Sequence, residues 1–136
     1  MLYIELISGI WIGDVDMLQK KKFFIDNEIS IIMNCTQEFQ FPDIEVEKIR
    51  LPFYSYDTIK NFELVKQNYQ KVIDYIHVQS QTKNIFINCY NGLQISPFIV
   101  LLYLQKYSGI HKQSLFEIIK SKHSDFTLWF DLDLFD

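Results

Sequence analysis

The stretch Ile85-Phe86-Ile87-Asn88-Cys89-Tyr90-Asn91-Gly92-Leu93-Gln94-Ile95-Ser96-Pro97 constrains the chain more than any other. Its first residues are apolar and rich in β-branched side chains, the pattern of a strand buried on both faces. A short loop with a glycine follows, and then a largely apolar helix from Ser96 to Tyr107, for which Gly109 suits the C-terminal cap. Strand, glycine loop and buried helix in that order belong to a parallel sheet with helices on its faces, where ligands sit at the carboxyl ends of the strands. Cys89 stands at such an end. Backbone N–H groups of the loop and the positive end of the helix would face it, which suits a thiolate nucleophile opposite a phosphate.

The rest of the chain fits this reading. Residues 2–12 alternate enough for one or two short strands. Asp14 is a plausible cap for a short helix ending near Lys20-Lys21-Lys22, and residues 22–27 suit another helical turn. Ile29 to Cys35 reads as a buried strand, Gln37 to Asp43 as a loop, and Glu45 to Leu51 as a strand ended by Pro52. Phe62, Val65, Tyr69, Val72, Ile73 and Ile76 recur at helical spacing over residues 61–78. Lys83 to Asn88 is the central strand. Ser114 to Lys122 is amphipathic, and the aromatic-rich residues 126–135 are expected to form a last helix packed on the sheet.

A length of 136 residues suits one domain spanning 1–136, and a hydrophobic share of 49% supplies a core without staples. A net charge of −4 argues against general nucleic-acid binding. The two cysteines, Cys35 and Cys89, fit a reducing cytosol better than a disulfide framework. No signal pattern or membrane-length apolar stretch occurs, so no membrane association and a cytoplasmic location, in a host cell included, are expected. The chain contains no alanine and abounds in Ile, Phe, Lys and Asn, the bias of an AT-rich genome such as that of a large virus or a parasite. His77, His111 and His123 show no metal-ligand spacing and read as solvated; no metal or cofactor is expected.

Cys89 through Ser96 resembles the active-site loop of cysteine-dependent protein phosphatases, His-Cys-x-x-Gly-x-x-Arg-Ser/Thr. Cys89, Gly92 and Ser96 match; Asn88 replaces the histidine and Ile95 the arginine. Over nearly its full length the chain is similar to small dual-specificity phosphatases. Ile10-Trp11-Ile12-Gly13 resembles their opening strand, Ile29 to Cys35 a second strand, and Ser96-Pro97 through Leu104 the helix after the loop. Asp57, 32 residues before Cys89, lies on a Tyr-Asp-Thr stretch similar to the loop of the family's general acid. The resemblance implies a three-layer, protein-tyrosine-phosphatase-like α/β fold with a mostly parallel central sheet.

It also implies roles for named residues, each with a plainer alternative. Cys89 would be the nucleophile or its remnant, or else a buried structural thiol. Asn88, Cys89, Tyr90, Asn91, Gly92, Leu93, Gln94 and Ile95 would form the phosphate loop. Asp57 would protonate the leaving oxygen, or simply cap the helix beginning near Asn61. Ser96 would assist departure of the thiolate, cap its helix ahead of Pro97 at the first helical position, or do both. Gly92 would supply a positive φ or a close approach. Cys35 is expected in the core, with a resolving thiol for Cys89 as the lesser reading. Tyr54, Tyr56 and Tyr90 would ring the mouth and grip a phosphorylated side chain, or simply be the surface aromatics of a tyrosine-rich chain.

The missing arginine decides the expected function. That side chain makes a planar, two-pronged contact with phosphoryl oxygens, and Ile95 offers no donor. Arg50, the sole arginine, and Lys106 are not placed by sequence to replace it. Activation of the thiol would rest on loop N–H groups and the helix dipole, since Asn88 carries no charge. The expected function is therefore that of a catalytically inactive relative, a pseudophosphatase, that engages a phosphoprotein or signalling partner without turnover. The alternatives are a low-activity phosphatase acting on protein, RNA 5′-end or lipid phosphate, and a scaffold or oligomerisation domain with a vestigial pocket. The oligomeric state stays open, a homodimer included.

Overall fold

The computed structural model describes residues 1–135. Its sheet has five strands: β1 (Tyr3–Ile7), β2 (Ile10–Gly13), β3 (Ile29–Asn34), β4 (Glu47–Arg50) and β5 (Asn84–Asn88), in the spatial order β1-β2-β5-β3-β4. Only the β1–β2 pair is antiparallel. Four helices accompany it: α1 (Lys21–Asp26), α2 (Thr58–Gln79), α3 (Ile95–Tyr107) and α4 (Lys112–Lys122), with 3₁₀ turns at Val15–Gln19 and Leu132–Phe135.

The period of two along each strand sorts side chains into two cores. Ile31, Met33, Ile85 and Ile87 join Phe98, Val100 and Leu101 of α3 in the larger one. Ile32 and Phe86 point the other way, into a smaller core with Met17, Leu18 and Phe24. The sheet is thus the middle of three layers. Every residue of α3 from Ile95 to Leu102 is buried, so this helix lacks a solvent face over its first two turns.

Some expectations are revised. Asp14 holds the N-cap position of the 3₁₀ turn at Val15–Gln19 but makes no side-chain capping bond; its carboxylate accepts instead from the N–H of Leu2 at 2.8 Å. The 3₁₀ turn does end at the basic triplet, with Lys20 as its C-cap, and the same triplet opens α1. The tail over 126–135 is irregular except for its final 3₁₀ turn, and its rings pack against helices α2 and α3. There Phe62 of α2 meets Phe130 and Phe135, and Phe98 of α3 meets Trp129 and Phe135. Large rings spaced irregularly can fill a groove between two helices without themselves forming one.

Candidate functional site

Register brings four residues into one row across the carboxyl ends of the parallel strands. Gly13 pairs with Asn88, Asn88 with Asn34, and Asn34 with Arg50. Cys89 is the next residue after this row on the central strand, and its N–H donates to the Gly13 carbonyl at 3.2 Å. Strand pairing therefore fixes the start of the loop before any side chain acts.

Asn88 is completely buried. Its Nδ2 donates to Asn34 Oδ1 at 3.1 Å, and that oxygen also accepts from Thr36 Oγ1 at 2.8 Å. Asn34 Nδ2 donates to the Phe39 carbonyl at 2.8 Å. An amide chain thus runs sideways beneath the cysteine, with Asn88 Oδ1 left without a protein partner. Arg50 finishes the same chain. Its guanidinium donates to the Thr36 and Phe39 carbonyls, both at 2.9 Å, and stands 5.0 Å from the Phe41 ring centre. The sole arginine is committed to shaping the loop after β3.

The loop itself turns on Gly92, whose φ is +71°. A Cβ there would fall 2.6 Å from Leu2 Cδ2 and 3.1 Å from the Gly13 backbone, so both sign of φ and space call for glycine. Around Cys89 Sγ stand the Gly92 N–H at 3.2 Å and Ser96 Oγ at 3.2 Å. Asn91 Oδ1 is 3.9 Å from the sulfur and accepts from the Leu93 N–H at 2.9 Å. Two of the loop's N–H groups are consequently used inside the loop, one by the sulfur and one by the Asn91 side chain.

Ser96 belongs to α3 rather than to its cap. The helix begins at Ile95 with Gln94 in the capping position and no side-chain capping bond, so Pro97 is its third residue. The Ser96 hydroxyl is free to face the sulfur. Ile95 is 9% exposed and belongs to the larger core.

Asp57 does cap α2: its Oδ1 accepts from the Lys60 N–H at 3.0 Å, and its other oxygen lies 4.0 Å from Lys60 Nζ. Asn61 clasps the preceding segment through bonds of 2.7 and 2.8 Å to the N–H and carbonyl of Tyr54. Tyr56 is 96% exposed, and Tyr54 Oη is not used in the clasp. Tyr90 is the tyrosine built into the site. Its hydroxyl lies 3.0 Å from the Phe53 carbonyl and 3.1 Å from Glu38, and burial first, then Glu38, holds it protonated above its usual range. It ties the cysteine loop to the segments after β3 and β4.

Cys35 is a fully buried free thiol just past β3; burial foremost, then the nearby Cys89 sulfur, pushes its pKa far up. Lys106 binds Asp74 at 2.7 Å, well away along α3. The histidines are not simply solvated. His111 caps α4, His77 stacks on Tyr107 at 3.9 Å, and His123 is 3% exposed with its Nε2 on the Gly92 carbonyl at 2.9 Å. His123 is a residue of the site that sequence reading missed, as are Asn34 and Thr36. The only sequence signal for His123 is a position between the amphipathic α4 and the buried Phe126. Among the described residues no group of three His, Cys, Asp or Glu could hold a metal ion, and no helix is long and apolar enough to cross a membrane.

Residues 10–132 match the family described as dual specificity phosphatase, catalytic domain. The chain belongs to the dual-specificity phosphatase family. It is 22% identical over 130 residues to dual specificity protein phosphatase 5 of Rattus norvegicus, covering 89% of this chain and 31% of that protein; the chain thus spans about a third of that relative's length. Human DUSP28 superposes with a TM-score of 0.81 at 12% identity, covering 93% of this chain and 84% of that one. The human tyrosine phosphatase-like serine/threonine/tyrosine-interacting protein superposes with a TM-score of 0.78 at 14% identity, over 93% of this chain and 87% of that one. These likenesses establish a phosphatase-like three-layer fold around the cysteine loop.

Proposed function

We propose that this phosphatase-family domain binds a phosphorylated signalling partner through the 88–95 loop without hydrolysing it efficiently. One observation carries the reading: the position of the family's phosphate-clamping arginine holds Ile95, a side chain packed into the core. An arginine acting on a transferring phosphoryl group is worth about 10³–10⁵ in rate, which is about 4–7 kcal/mol of barrier. Neither Arg50 nor Lys106 stands in. Arg50 is spent on two carbonyls and Lys106 on Asp74. The general-acid candidate Asp57 is occupied as a helix cap. A structural neighbour that bears "interacting protein" in its name supports partner binding as a role for this fold. The cytoplasm is the compartment proposed for it.

The contacts of Cys89 with Ser96 and the Gly92 N–H favour a second reading, a slow thiol-dependent phosphatase. Aryl phosphate hydrolysis by the native chain, Cys89→Ser, Ile95→Arg and Asn88→His/Ile95→Arg separates the two, with circular dichroism to check folding. The proposal expects the native rate to equal that of Cys89→Ser and the double variant to gain activity. Family-typical turnover by the native chain that disappears in Cys89→Ser would falsify it. Capture of a partner irrespective of its phosphorylation would favour a scaffold instead.

A further inference from the structure

A cavity of about 350 Å³ opens between α2, α3 and the segment after β4, apart from the cysteine loop. Its origin is topological. The edge strand β4 is four residues long, whereas α2 runs for 22. The chain leaves the sheet after Arg50, so the inward side of α2 from Val65 to Val72 outruns the strands beneath it. Leu51, Phe53, Val65, Tyr69, Val72 and Leu102 supply the walls. A space of this size falls in the range of small-molecule sites, about 300–1,000 Å³, and apolar walls favour an apolar guest over water.

The rim carries three polar side chains, Arg50, Asn68 and Lys71, and the Asn68 amide already donates to the Leu64 carbonyl at 2.9 Å. Arg50 borders the cavity but is already bonded to two carbonyls. Lys71 borders it too, and among the described residues its ammonium has no hydrogen bond or ion pair. We infer that this cavity is a binding site for a medium-chain amphiphile with an anionic head, an alkyl carboxylate being the simplest case, its chain between α2 and α3 and its head at Lys71. An apolar slot with one free cation at its edge matches an apolar chain ended by one negative charge. The volume suits a small guest rather than a helix or a second copy of the chain.

The site carries its own reporter. The Phe53 ring stands edge-on to Trp129 with centroids 6.5 Å apart, whereas Trp11, the other tryptophan, packs against the smaller core on the opposite face of the sheet. The test is titration of decanoate and of decanol into the native chain, Lys71→Gln, Val72→Phe and Leu64→Phe, followed by tryptophan emission and calorimetry. The inference expects saturable one-to-one binding of both probes to the native chain, lost when Val72→Phe fills the slot. Lys71→Gln weakens decanoate by up to about fivefold, as for an exposed ion pair, and leaves decanol unchanged. Leu64→Phe, at the half-exposed rim, replaces Val72→Phe should that variant not fold. Non-saturable binding, or binding untouched by the filling variants in folded protein, overturns the site. Equal response of decanoate and decanol to Lys71→Gln overturns the anionic class of ligand. None of these readouts depends on Cys89 or on phosphate.

Discussion

His123 Nε2 lies 2.9 Å from the carbonyl oxygen of Gly92, so the end of α4 grips the apex of the cysteine loop. A carbonyl only accepts, which places the ring proton on Nε2. The Thr127 N–H donates to the next carbonyl, Leu93, at 3.3 Å, and the two bonds brace the loop from behind. His123→Phe keeps a ring of similar bulk but leaves the buried Gly92 carbonyl unpaired. The expected loss is about 1–3 kcal/mol, read as a lower urea midpoint with an unchanged slope. An unaltered midpoint shows that the loop holds its shape without this bond.

Asn91 uses its side-chain oxygen where an incoming anion would want a donor. With Oδ1 on the Leu93 N–H, one position of the cradle is filled from within. Asn91→Ala releases that N–H. A net hydrogen bond of about 0.5–1.5 kcal/mol then becomes available to an oxyanion, an expected gain of about two- to tenfold in affinity. Calorimetric titration with tungstate checks it, and weaker binding in the variant assigns Asn91 to shaping the loop instead.

The strands and helices were legible because their signals are local. Ile29 to Met33 and Ile85 to Ile87 alternate between two cores, and that alternation is written in consecutive residues. The loop was legible for the same reason, Cys89, Gly92 and Ser96 lying within eight positions. What sequence could not show depends on contacts distant along the chain. His123 reaches Gly92 from 31 residues away, and Asn88 meets Asn34 across 54. The role of Ser96 was ambiguous because a serine before a proline suits a helix cap; one residue of extra helix, Ile95, turned its hydroxyl to the sulfur instead. The tail failed as a helix because its aromatic spacing answers to the groove between α2 and α3, not to its own backbone.

Asp74 joins α2 to α3 by accepting from Lys106 at 2.7 Å and Tyr107 Oη at 2.5 Å. The bond from Lys106 first, and then that from Tyr107, hold its carboxyl below the ordinary aspartate value of 3.8. A folded-state value below the unfolded one means the contribution is complete above the unfolded value and is lost as pH falls through the folded one. The stability difference between the native chain and Asp74→Asn should therefore be present at neutral pH and close at pH below 3.8. Urea midpoints of both proteins across that range measure it; a gap that persists in strong acid assigns the difference to geometry rather than charge.

Asp57 offers the sharpest separation of structural duty from catalysis. Its carboxylate caps α2 through the Lys60 N–H, and a cap of this kind is worth about 0.5–2 kcal/mol. Asp57→Ala should lower the urea midpoint by that amount, whereas Asp57→Asn and Asp57→Ser, which retain an acceptor oxygen, should lie near the native value. A general acid obeys a different rule, since neither asparagine nor serine delivers a proton to a leaving oxygen at neutral pH. Any Cys89-dependent hydrolysis of an alkyl phosphate, whose leaving oxygen needs that proton, would then fall in all three variants alike. Stability that follows acceptor oxygen while the residual rate ignores the substitutions assigns Asp57 to the helix alone. A rate that drops equally in all three, with a basic limb in its pH profile lost, returns it to the chemistry.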